Sequence, residues 1–130
     1  MMPDTEANEV TWDLLDRRAV NDLVARDGAE QVLGGLMGST LSPESQVQTL
    51  NDLAIEGNIP ALKKKTATFK SWSDEHGLRR LSNILVELER VLELTARGQA
   101  ILQAQALTRF IILHLDTDIA AFKHAVSSAD

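Results

Sequence analysis

Lys63, Ala67, Lys70 and Asp74 fall on one stripe of a helix, because side chains three and four residues apart share a face. Lys64 and Ser71 flank that stripe, and Leu62, Thr66, Phe69 and Ser73 form the more apolar face beside it. Ammonium groups around a small exposed residue can steer and hold an anionic group on another protein, such as a carboxylate cluster. They cannot attack it. Position 67 offers a methyl group, while Thr66 and Thr68 point about 100° away and carry unactivated hydroxyls. His76 lies two and a half turns further on, about 13 Å along the axis and on the opposite side, so it cannot stand in. Its place before a glycine at a helix end suits a structural role, since a helix dipole favours an imidazolium there.

Other arrangements give less. His114 and His124 are about 80° apart around a helix and about 15 Å apart along it, so they cannot share a metal ion. Asp116 and Asp118, like Glu87 and Glu89, are two residues apart and diverge, which leaves hydrolysis by paired carboxylates without support. No Ser-His-Asp signature stands out. Gly34, Gly35 and Gly38 lack the Lys-Ser/Thr ending of a phosphate loop and no strand precedes them, so close helix packing is their expected role. The chain has no cysteine, which removes disulfides and thiolate metal sites. No metal and no cofactor are expected.

The elements that would position the stripe are all helical. Apolar residues recur at three- and four-residue spacing from about residue 12 onward, and no window alternates like a strand. Trp12, Leu15, Ala19, Val20 and Leu23 mark a first short helix that stops at Asp27-Gly28, with Thr11 or Asp16 as its N-cap. A second stretch carries Val32, Leu33, Leu36, Met37 and Leu41, then Val47, Leu50, Leu53 and Ala54. Ser42-Pro43 between them signals a helix start, so this is two helices or one kinked helix. Gly57-Asn58 precedes the stripe-bearing helix and Gly77 ends it. Leu78, Leu81, Ile84, Leu85, Leu88, Val91 and Leu92 follow on one face, closed by Arg97-Gly98. A last helix from Gln99 to about Ser127 carries Leu102, Leu107, Phe110, Ile111, Leu115, Ile119, Phe122 and Val126. Short connections between long amphipathic helices predict an all-α, antiparallel up-down four-helix bundle with a short additional N-terminal helix. Residues 1–10 are expected to form a disordered tail and 11–130 a single domain.

Composition narrows the partners. Thirteen basic against nineteen acidic residues give a net charge of −6, which disfavours nucleic acid and anionic membranes. The N-terminus lacks the apolar core of a secretory signal, and Phe110 to Leu113 is too short to span a bilayer. A cytoplasmic monomer is the consistent expectation.

Ala67, Phe69, Lys70, Ser71, Gly77 and Leu81 together resemble the signature of histidine phosphotransfer (HPt) domains. That signature is a histidine followed by an apolar residue two positions on, a lysine three on, a small residue four on, a glycine ten on and a leucine fourteen on. Every term but the first is met; alanine stands at the histidine position. The order of features from about residue 14 to 127 is also similar. The resemblance implies a helical bundle in two-component phosphorelay signalling, with a response-regulator receiver domain or a histidine kinase as partner. It implies that Lys70 is the lysine near the phosphoryl group, that Ser71 replaces a small glycine, and that Gly77 is the packing and turn glycine. Lys63, Lys64, Ala67, Lys70, Ser71 and Asp74 would form the docking surface.

Transfer from an aspartyl phosphate needs an in-line nucleophile, which imidazole supplies and a methyl group does not. The chain is therefore expected to be a non-enzymatic docking module, degenerate at the acceptor. The alternatives are a phosphotransfer protein seen as a His-to-Ala variant, and an unrelated helical scaffold or oligomerisation bundle. Lys63 to Lys65, Lys70, Arg79 and Arg80 are expected to form a basic rim around position 67.

Overall fold

A computed structural model describes residues 14–38, 42–94 and 97–128, and all regular structure among them is helical. Six helices follow in order: α1 Arg17–Asp27, α2 Ala29–Gly38, α3 Pro43–Glu56, α4 Ile59–Glu75, α5 Arg79–Leu94 and α6 Arg97–Ser128. None is long and apolar enough to cross a membrane.

Local chemistry sets most of the boundaries. The carboxylate of Asp16 accepts from the Ala19 amide at 3.2 Å and caps α1; Ser42 Oγ and Asn58 Oδ1 do the same for α3 and α4, each at 3.3 Å. Pro43 sits at the start of α3, where its missing N–H costs nothing. The second stretch is thus two separate helices, and residues 39–41 between them, including Leu41, lie outside the described set. Gly57 takes a left-handed φ of 72°, and the amides of Gly57 and Asn58 return to the carbonyls of Ala54 and Leu53 at 3.2 and 3.1 Å. Thr11, Trp12 and the expected 1–10 tail also fall outside the described residues.

Helices α3, α4, α5 and α6 close a cycle in which each packs against two of the others, while α1 and α2 pack on each other and on α6. The interior is aliphatic with two rings: Leu50, Leu62, Phe69, Leu81, Leu85, Leu88 and Phe122 are all fully buried. On α5 the buried positions are the expected stripe, with Ile84 alone half-buried. Buried hydroxyls are satisfied locally: Thr66 donates to the Leu62 carbonyl and Thr108 to that of Ala104, each at 2.7 Å. Ser73 Oγ donates to the Leu78 carbonyl at 3.0 Å and lies 2.7 Å from Ser82 Oγ, tying the end of α4 to α5.

Three expectations are corrected. Arg97 and Gly98 do not close α5; both belong to the first turn of α6. A helical start tolerates glycine, so that residue did not mark a stop. The inward face of α6 is Ala100, Ala104, Thr108, Ile111, Leu115 and Asp118, whereas Leu102 is 66% and Phe110 43% exposed. Alanine and threonine occupy the first half of that face, and the expected Ile111, Leu115, Phe122 and Val126 are buried further along it. Nor do Gly34 and Gly35 serve close packing: an added Cβ at either would meet nothing within 4 Å.

Gly77 is the glycine under real constraint. Its φ is +68°, and a Cβ there would lie 2.6 Å from the Asp16 carbonyl oxygen and 2.9 Å from Val20 Cγ2. Gly77→Ala combines left-handed strain with a backbone clash, and should lower unfolding free energy by about 2–4 kcal/mol in urea titration. Gly34→Ala, in open space on a helix, should raise it by about 0.5–1 kcal/mol.

Candidate functional site

Helix α4 spans 17 residues, and Ala67 is its midpoint. Leu62, Thr66, Phe69 and Ser73 turn inward, so the same periodicity leaves Ala67, Lys64, Ser71 and Asp74 exposed, with Lys63 and Lys70 half-buried. The methyl of Ala67 forms part of a groove of about 590 Å³ between α4 and α5, whose other walls are Lys63, Val86, Glu89, Arg90 and Glu93. The α5 contribution was not singled out in the sequence. Positions 86, 89, 90 and 93 border the buried 85, 88 and 92, so the helical period would have found them.

The charges around Ala67 are mixed. Lys63 Nζ lies 3.4 Å from Glu93 Oε1 on α5, Lys70 Nζ donates to Asp74 Oδ2 at 3.1 Å one turn on, and Arg90 pairs with Glu87. All are surface pairs, and such pairs contribute below about 1 kcal/mol. Hydrogen bonding to Arg90 holds the Glu87 carboxyl below its ordinary range. The basic rim expected from the sequence is therefore interleaved with carboxylates. Lys64 remains exposed outside the groove.

Arg80 leaves the rim altogether. Its Nε donates to Asp118 Oδ1 on α6 at 3.0 Å, while Nη2 lies 3.0 Å from the same oxygen but outside hydrogen-bonding geometry. The Asp118 side chain is 3% exposed. Burial raises its pKa above the ordinary carboxylate value, and the opposing attraction of Arg80 does not cancel that rise. The pair ties α5 to α6 and is structural.

His76 and His114 pack against other rings. His76 caps α4, its Nδ1 lies 2.8 Å from the Trp72 carbonyl and, facing an acceptor, must carry the proton. Its ring stacks on Trp72 at 4.2 Å and meets Phe122 at 5.7 Å. His114 lies against Phe110 at 4.3 Å, and His124 is exposed. Among the described residues no group of three or more histidines and carboxylates could hold a metal ion.

Arg80→Met should destabilise the fold by about 3–5 kcal/mol at neutral pH, because the Asp118 carboxylate is left buried and unpaired. Asp118 binds its proton more tightly folded than unfolded, so this deficit should shrink as pH falls through its raised folded pKa. Urea unfolding of variant and parent from neutral pH toward pH 4.5 measures the difference. A deficit that stays constant or grows on acidification would contradict the buried-carboxylate account.

No family model, no curated protein and no solved structure matches this chain.

Proposed function

We propose that the chain is a docking module of histidine-phosphotransfer type, in which α3 to α6 form an antiparallel four-helix bundle and α1 and α2 are additional N-terminal helices. On this reading it binds a response-regulator receiver or a histidine kinase in the cytoplasm and carries no phosphate. The observation that supports it most is the exposure of Ala67 at the centre of α4, beside Lys70 and the small Ser71. A relay protein presents its acceptor at such a point because another protein's active site must reach it in line.

The local chemistry agrees with docking and not with transfer. Phe69 and Leu81 are fully buried and Gly77 makes the turn after α4, so these motif positions serve structure. The ammonium of Lys70 sits one helical turn from the methyl and pairs with the exposed Asp74, a contact that a partner's carboxylate or phosphoryl oxygens can displace. With no lone pair at position 67, an aspartyl phosphate held there keeps its phosphoryl group. The effect on signalling would come from occupying the partner's phosphorylation face.

Titration calorimetry with receiver domains and kinase domains from the same genome tests the docking, and acid-labile labelling tests the chemistry. A cognate domain should bind, Lys70→Glu should weaken binding about tenfold or more, and the parent should stay unlabelled. Stoichiometric label on the parent, or absence of binding to any such domain, would overturn the assignment. Label on Ala67→His from a phosphorylated receiver would favour a phosphotransfer protein seen as a His-to-Ala variant, and a bound but unlabelled Ala67→His would favour the degenerate docking module.

A further inference from the structure

Helix α6 carries a second regular stripe, on its outward side. Leu102, Ala106, Arg109, Leu113, Asp116 and Ala120 are all exposed, and they are spaced four, three, four, three and four residues apart. That is the spacing of a two-stranded coiled-coil seam, here with Leu102 and Leu113 as its large apolar positions and Arg109 and Asp116 as charged ones, and it lies opposite the face that α6 buries in the bundle. Leu113 is 74% and Leu102 66% exposed, with Phe110 alongside at 43%. A helix apolar on both sides is normally covered on both.

The charges on the stripe identify the cover. Arg109 and Asp116 enter no ion pair among the described residues; the Arg109 guanidinium makes only a long 3.4 Å contact to the Gln105 carbonyl of its own helix. Seven residues apart, they are about 10 Å from each other along one helix. They lie four residues before and three after Leu113, on the same flank of the stripe. If an identical helix is laid antiparallel with Leu113 on the two-fold axis, Arg109 of each copy comes to the height of Asp116 of the other, to within about 1.5 Å. Ala106 then faces Ala120 on both sides of the axis, where small side chains let the helices approach. A parallel pairing would set arginine against arginine and aspartate against aspartate.

We propose that this outward face of α6 binds a second copy of the same chain, antiparallel, with Leu113 at the centre and two reciprocal Arg109–Asp116 ion pairs. The inference does not depend on the docking role of Ala67. Helix α4 and helix α6 are not neighbours in the cycle of helices, so pairing through α6 leaves the α4–α5 groove open. The dimer would present two such grooves.

Sedimentation equilibrium of the full chain, from micromolar to submillimolar concentration, should show a monomer–dimer equilibrium. Leu113→Asp, an exposed position whose replacement leaves the helical circular dichroism unchanged, should return it to monomer. Arg109→Asp and Asp116→Arg should each raise the dimer dissociation constant about tenfold or more, and the double exchange should restore it to within a few fold. Because the chain has no cysteine of its own, direction can be read by oxidation: a mixture of Ala106→Cys and Ala120→Cys chains should cross-link to each other, and neither alone. A monomer at every concentration overturns the proposal. So does cross-linking of each single variant to itself, or a charge exchange that does not rescue.

Discussion

The reversal after α4 is the constraint on which the rest of the molecule depends. Gly77 turns the chain with a positive φ while its carbonyl accepts from the Asp16 amide at 2.8 Å. The same residue therefore seats α5 against α4 and anchors the start of α1 beneath the turn. The hydroxyls of Ser73 and Ser82, 2.7 Å apart, close the crossing from inside, where larger side chains would push the helices apart. Once α4 is fixed in rotation by this turn and by buried Leu62 and Phe69, the outward aim of Ala67 is no longer free.

That aim sets what the site can do. The α4–α5 groove combines lysine, arginine and glutamate with the methyl of Ala67, and its lining holds no histidine to accept a phosphoryl group. The ion pair of Arg80 with the buried Asp118 lies elsewhere and serves the joint between α5 and α6. Polar groups that are buried here are structural, and those that face the proposed partner are exposed and weakly held.

Much of this was legible in the sequence, because it rests on local rules. The caps Asp16, Ser42 and Asn58 and the turn glycines Gly28, Gly57 and Gly77 announce themselves by residue type, and the Leu81–Leu85–Leu88 stripe by period. Exposure at position 67 followed from the same period. Long-range choices were less visible. Helix α6 carries apolar residues on several sides, and its first half buries Ala100, Ala104 and Thr108 in place of Leu102, while Ile111, Leu115, Phe122 and Val126 are buried as the period suggested. Arg80 looked like surface charge until the fold brought Asp118 opposite it, 38 positions away. Gly34 and Gly35 remain unexplained by packing.

Chain order gives the α3–α6 seam a distinct role in folding. The α3–α4, α4–α5 and α5–α6 hairpins join sequence neighbours and need only short loops to close. The contact of α3 with α6, marked by Gln105 Nε2 donating to the Ala54 carbonyl at 3.1 Å, spans 51 positions and must overcome a much larger closure entropy. Of the four joints in the cycle, that seam carries the largest closure cost. Leu50 on α3 and Ile111 on α6 are both buried, so an opening between these two helices would expose core surface of the kind through which partly unfolded chains associate.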